Sequence, residues 1–241
     1  MAPRSDRRRI KRILSLLERA YGPRRWRRWG SGVDMLVATI LSQNTSGANS
    51  HNGYRQLRRR FRSWSRVADA PVGEIAKSIR VCGLSRVKAP RIRTILRRIR
   101  DEHGRVSLEF LRDLTPEEAC EYLMSFDGVG AKTAGCVMLF AFGRPVFPVD
   151  THIRRIAVRL GLAPARATAE AVQEHLTPLI APGDRYALHV LLIEHGRRTC
   201  RARGPKCQWC DLSALCPDGR RRLGRAGAPR SPRLDTGSAG R

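Results

Sequence analysis

Residues Ser125 to His152 read S-F-D-G-V-G-A-K-T-A-G-C-V-M-L-F-A-F-G-R-P-V-F-P-V-D-T-H. Gly128-Val129-Gly130 is a tight turn set between two helical patterns. Upstream, Thr115-Pro116-Glu117-Glu118 supplies a cap, a first-turn proline and two acids at the positive end of a helix running to Met124. Downstream, Ala131 to Phe142 is small and apolar, as a buried helix is. Glycines let the backbone turn sharply and approach a partner closely, and the helix start beyond them presents unpaired N–H groups. Such a turn binds an anion, most naturally a phosphate. Lys132 sits one residue into the second helix, and Asp150 follows eighteen positions later. A helix over 131–142 rises about 16 Å. Residues 143–150, broken by Pro145 and Pro148, span up to roughly 26 Å when extended. The chain can therefore return along the helix and bring an amine and a carboxylate into one site. Each residue also has a plainer reading. A two-glycine turn serves many purposes, a helix lysine is commonly solvated, and an aspartate before Thr151-His152 is a ready N-cap.

F-D-G-V-G-x-K-T-A followed by F-P-V-D-T-H resembles the helix-hairpin-helix and Gly/Pro–Asp motif of the endonuclease III family of DNA glycosylases. That resemblance implies a hairpin gripping DNA phosphates at Gly128, Val129 and Gly130, a nucleophilic Lys132 and an essential acidic partner in Asp150. The family has Leu-Pro where this chain has Phe126-Asp127, so here the acid must point away from a bound phosphate. The resemblance also implies two helical domains flanking a DNA-binding cleft, with the chain's two ends sharing one domain. On this sequence the first domain is 1–30 plus 146–216, the second is 31–145, and 217–241 is a disordered basic tail. The likeness extends over residues 7–216.

The remaining sequence agrees with an all-α protein. Helical apolar spacing recurs over Arg7–Ala20, Val33–Leu41, Ala48–Phe61, Val72–Ile79 and Arg86–His103, with a short turn at Ser107–Leu111. After Asp150 it continues over Ile153–Leu160, Thr168–Ile180 and Tyr186–Arg198. No strand pattern persists. The formal net charge of the 241 residues is +26; residues 1–30 hold +9 and 217–241 hold +5, which leaves +12 to the rest. Only five of the 47 basic residues are lysine, a bias toward arginine that does not account for the excess of base over acid. A polyanion is the expected partner, bound the more weakly as salt rises. The first residues show no apolar run after their charges, and the longest apolar stretch, 133–142, is far short of the ~20 residues of a membrane span. The expectation is a soluble, cytoplasmic, nucleoid-associated monomer.

Cys200, Cys207, Cys210 and Cys216 are spaced C-x6-C-x2-C-x5-C, and four thiols so close together make a metal or cluster loop rather than a disulfide framework. Zinc more often uses two C-x2-C pairs, and only Cys207 and Cys210 form one. The intervals match the [4Fe–4S] loop of the endonuclease III family, and the resemblance therefore implies that cluster. Arg201, Arg203 and Lys206 lie between the ligands, as a basic loop facing phosphate or as plain solvated surface. Cys82, Cys120 and Cys136 are scattered in helical contexts and read as buried thiols.

A glycosylase must extract its base and fill the hole left behind. Gln43 and Leu84 stand at the positions from which the family supplies that filler, an amide to pair with the orphaned base and an apolar wedge. Leu84 reads equally as core packing, and His152 as a packed residue rather than a nucleotide contact. The implied partner is double-stranded DNA carrying damaged bases or abasic sites. The implied chemistry removes oxidised pyrimidines and cuts the strand by β-elimination. The attacking amine must be neutral; a helix N-terminus and desolvation favour that form, while a nearby carboxylate opposes it. Two alternatives stand beside it. F-P-V-D-T-H-I-R-R-I-A-V-R-L-G also resembles plant 5-methylcytosine glycosylases, so mismatched thymine or modified cytosine is a second substrate class. A non-catalytic helix-hairpin-helix DNA-binding protein is the third, and it would need neither Lys132 nor Asp150.

Overall fold

The computed structural model describes residues 4–226, and every regular element among them is helical. The chain divides into two compact units, Arg25–Pro148 and Met1–Arg24 with Val149–Arg241.

In the first unit α2 (Gly32–Ser42) and α8 (Ala131–Phe142) pack against each other. Both are apolar on nearly every side; Leu36, Ile40 and Leu41 of α2 and Ala134, Val137 and Met138 of α8 are all but inaccessible. Gly32 lets the pair close, because a Cβ there would lie 2.7 Å from the Phe142 ring. Around them pack α3 (Gly47–Phe61), α4 (Trp64–Asp69), α5 (Val72–Ser78), α6 (Ser85–His103) and α7 (Pro116–Met124). Ser31 caps α2 through a reciprocal box with Asp34. The same carboxylate then accepts from the Tyr54 hydroxyl at 2.8 Å and the Trp64 indole N–H at 2.9 Å, so one acid joins three helices. Burial pushes the Asp34 pKa up, but hydrogen bonds from Ser31, Tyr54 and Trp64 outweigh it and the net shift is downward.

The sequence reading leaves 62–71 as a connection, whereas α4 forms there. Ser63 caps it, accepting from the Arg66 N–H, and Trp64, Val67 and Ala68 bury its inner face. Six residues are too few for periodicity to stand out.

In the second unit α1 (Arg4–Tyr21) lays Ile10, Ile13, Leu14 and Leu17 against α11 (Arg185–Arg198), and α9 (Thr151–Arg159) packs on α11 as well. The helix read over 168–180 stops at Leu176: α10 is Ala169–Leu176, and a 3-10 turn, Thr177–Leu179, follows because Pro178 lacks the N–H to continue. The tail read as disordered from 217 is corrected over its first ten residues, which form α12 (Pro217–Ala226). Charge holds it where an apolar face is missing. Asp218 pairs with Arg221 at 2.9 Å, Arg222 at 2.7 Å and Arg159 at 3.6 Å. Residues 227–241 lie outside the described residues. No described helix is long and apolar enough to cross a membrane.

Candidate functional site

The hairpin is fixed from beneath by Phe126 and Val129, both buried. Gly128 turns the chain at φ +71°, a left-handed conformation that suits glycine. Gly130 caps α8 without a side chain, and its carbonyl accepts from Thr133 N–H at 2.9 Å and Ala134 N–H at 3.0 Å. The N–H groups of Gly130, Ala131 and Lys132 find no acceptor among the described residues and point out of the helix start. Open donors of this kind are what the sequence reading expects to meet an anion.

Asp127 is engaged by a base. Its carboxylate, 86% exposed, takes the Arg91 Nε–H at 3.1 Å. The Arg91 guanidinium covers Gly128 so closely that a Cβ there would fall 2.1 Å from Cζ. The acid beside the hairpin is thus paired with an α6 arginine whose guanidinium lies over the same turn. Asp127→Asn is expected to free Arg91 for a DNA phosphate, tightening binding a few-fold and steepening the salt dependence by about one counterion. Anisotropy titrations across a salt series measure both, and unchanged affinity and slope would show that Arg91 meets no phosphate.

Gln43 ends α2, and its amide Nε2 donates to the Gly128 carbonyl at 3.0 Å, joining that loop to the hairpin. Leu84 precedes α6 in a left-handed conformation, φ +49°, and is 55% exposed. Core packing is not its role. Lys132 is the second residue of α8 and half-buried. Gly143 ends α8 in a left-handed cap, and the chain then returns: Pro148 lies against Gly135, where a Cβ would be 3.0 Å from the proline ring. Gly135 is one turn from Lys132. Two residues after Pro148, Asp150 caps α9, its Oδ1 accepting from Ile153 N–H at 2.8 Å. His152 packs: Arg155 lies 3.0 Å from its Nδ1, and the α11 backbone at Gly196 crosses close beside it.

The four cysteines line one pocket with Ile156, Leu160 and Leu212. Arg159 is its buttress, donating to Cys200 Sγ at 3.2 Å, Arg201 O at 2.7 Å and Ala202 O at 3.1 Å. Cys216 Sγ accepts from Gly219 N–H at 3.2 Å, and His195 Nε2 lies 3.7 Å from Cys210 Sγ. Burial pushes the Cys207 and Cys216 thiols up and Cys210 up to about 12. Burial likewise takes His195 down to about 4, so it is neutral. No three Cys, His, Asp or Glu side chains among the described residues form a group that could hold a single metal ion. The sulfurs border a shared space rather than a point. Arg201, Arg203 and Lys206 are exposed on the same loop.

Residues 37–182, which include the hairpin, Lys132 and Asp150, match the family model described as HhH-GPD superfamily base excision DNA repair protein. The chain belongs to that superfamily. Among its relatives, Endonuclease III of Sulfolobus acidocaldarius is 32% identical over 183 residues, 75% of this chain and 79% of that protein. DNA glycosylase/AP lyase ROS1 of Arabidopsis thaliana is 36% identical over 170 residues, 64% of this chain but 12% of that protein. Another Arabidopsis thaliana protein, named among the DNA glycosylases, is 40% identical over 167 residues, 69% of this chain and 57% of its own length. This HhH-GPD chain therefore spans little more than half of one plant relative and a small part of the other. A solved non-covalent Endonuclease III–DNA complex superposes with a TM-score of 0.79 at 27% identity, covering 93% of this chain and 100% of that one.

Three residues of this HhH-GPD chain escape a reading of the sequence. Arg91 and Arg159 are hidden among many arginines, with partners 36 and more than 40 positions away. Lys88 is 2% exposed and spans two loops. Its one signal is compositional, a lysine where arginine prevails.

Proposed function

We propose that this chain is a base-excision DNA glycosylase with AP lyase activity, acting on damaged pyrimidines in double-stranded DNA. One observation carries the reading: Lys132 stands in the first turn of a helix whose open N–H groups follow a left-handed glycine hairpin. Phosphate bound there would hold the DNA backbone beside the only amine on that turn. The Lys132 Nζ attacks C1′ of an extruded nucleotide as the C1′–N bond to the base breaks, and the base leaves with the bonding pair and a proton. The nitrogen lone pair then forms the C1′=N bond as the C1′–O4′ bond breaks, O4′ takes up a proton, and the opened sugar is left as a protonated Schiff base. Removal of a C2′ proton then expels the 3′ phosphate by β-elimination, and water releases the lysine. Asp150, held in place by its cap bond, stabilises the cationic sugar and shuttles protons. Gln43 and Leu84 occupy the space the nucleotide vacates. Endonuclease III homologues and the likeness to an Endonuclease III–DNA complex support this class.

A second substrate reading, modified cytosine or mismatched thymine, has the 36% identity to ROS1 in its favour. Borohydride trapping on a panel of duplexes tests both. Each duplex carries an oxidised pyrimidine, 5-methylcytosine, a G·T mismatch or an abasic site. Adducts with the first and last support the main reading, and an adduct confined to 5-methylcytosine or G·T supports the second. No adduct with any duplex overturns the glycosylase/lyase reading.

The cysteine loop fits a [4Fe–4S] cluster held by Cys200, Cys207, Cys210 and Cys216. Four thiols border one pocket, and N–H donors from Gly219 and Arg159 already address two of the sulfurs. When bound, the cluster would supply a rigid covalent frame for 200–216 and stabilise the thiolates that burial disfavours. Arg201, Arg203 and Lys206 then stand ready for phosphate. The purified protein is expected to be yellow-brown, with iron and inorganic sulfide in equal amount; one zinc and no iron overturns this. Cys207→Ala should lower the yield of folded protein while leaving trapping per folded molecule near normal.

A further inference from the structure

Lys88 is among the largest fully buried side chains of the described residues, and it is charged. Its ammonium has three N–H donors and uses all of them on backbone carbonyls: Leu41 at 2.9 Å, Gln43 at 2.6 Å and Cys82 at 3.0 Å. No carboxylate pairs with it among the described residues. Burial pushes its pKa down, and the neighbouring Cys82 works against that shift. Desolvating an ammonium is costly, and three carbonyls are what keep it tolerable.

The three acceptors belong to two separate loops. Leu41 and Gln43 end α2; Cys82 belongs to the 3-10 turn Arg80–Cys82, which leads to Leu84. Lys88 is also bound through its own backbone, its N–H donating to Leu84 O at 2.9 Å. One residue therefore grips the loop carrying Gln43 and the loop carrying Leu84. Through Gln43 Nε2 and Gly128 O the same chain of bonds reaches the hairpin. Five lysines stand among 47 basic residues, and the bulkier forked guanidinium could not converge on three carbonyls from inside this space.

We propose that Lys88 is a positioning residue that sets Gln43 and Leu84 at a fixed separation, so that the two enter duplex DNA together. The proposal rests on the reading of Gln43 and Leu84 as the residues that fill the vacated space. Lys88 itself touches neither DNA nor Lys132; it acts through the loops it ties. Its effect is confined to substrates in which a base must be drawn out of a duplex. An abasic site in single-stranded DNA, with no opposite base and no stack to part, needs Lys132 and Asp150 but neither Gln43 nor Leu84.

The test uses the full chain with Lys88→Met, which keeps the side chain's length and removes all three donors. Single-turnover excision from a lesion duplex and borohydride trapping on a single-stranded abasic oligonucleotide are compared at matched folded concentration. The expected result is a loss of duplex excision on the order of 10- to 100-fold, as small misplacements produce, with single-strand trapping unchanged. In a Gln43→Ala, Leu84→Ala background, adding Lys88→Met should cost nothing further on the duplex. Equal losses on both substrates, a loss on neither, or a full additional loss in that background would overturn the proposal. Where Lys88→Met reduces folding, Lys88→Arg is compared in its place: it keeps the charge but not the three-way reach, and the same two readouts apply. Failure of the wild-type chain to trap on either DNA would refute the glycosylase/lyase reading instead, and so is distinguishable.

Discussion

Lys132→Ala is expected to yield no borohydride-trapped adduct on abasic or lesion DNA, and strand cleavage through a Schiff base should disappear with it. The other four lysines are placed elsewhere: Lys88 is buried in its own bonds, Lys11 and Lys206 are exposed in the other unit, and Lys77 ends α5 beside Glu74. None is on the hairpin turn. Lys132→Gln should behave alike in chemistry yet bind lesion DNA within a few-fold of wild type, since the open N–H groups at 130–132 are backbone and Gly128 is untouched. Trapping gels and a binding titration on the same preparations separate the two effects. Persistence of an adduct in either variant would move the nucleophile away from this helix.

Asp150→Asn is expected to fold normally, bind DNA at least as well, and excise bases slower by a factor on the order of 10² or more, the usual scale for losing a charge that serves the transition state. The reasoning rests on what asparagine preserves. Its side-chain oxygen can still accept the Ile153 N–H that caps α9, and Asn and Asp are about equal as caps, so stability should change by only a few tenths of a kcal/mol. Charge is all that is lost. Thermal melting and single-turnover excision together give the answer. Normal turnover would reduce Asp150 to a helix cap and remove the acid from the proposed chemistry.

Local physics made the centre of the fold legible. The hairpin, α8 and the Asp150 cap depend on neighbours within four residues: a glycine that must be left-handed, a cap, an apolar run. The return of 143–148 along α8 followed from chain lengths and is seen where Pro148 meets Gly135. Long-range partners were beyond reach. That Asp127 is drawn to Arg91, or Lys88 to Leu41, depends on which helices meet, and neither pair has a sequence signature. Elements without an apolar pattern were also invisible: α4 is too brief, and α12 is held by Asp218 rather than by a buried face. Leu84 shows the intermediate case. Its sequence fits a core residue or a wedge equally, and only its 55% exposure separates them.

The junction at Asp34 sets how this protein meets acid. Its folded pKa lies below the ordinary 3.8, so the stability it lends is fully present above that value and is lost as pH falls through the folded one. Tyr54, whose own pKa is raised by burial and by the Asp34 bond, remains a donor throughout. Protonating the carboxylate weakens its hold on the Ser31 cap, α3 and α4 at a single stroke. Acid is therefore expected to loosen three helices of the unit that carries Lys132 as one cooperative event rather than by gradual fraying.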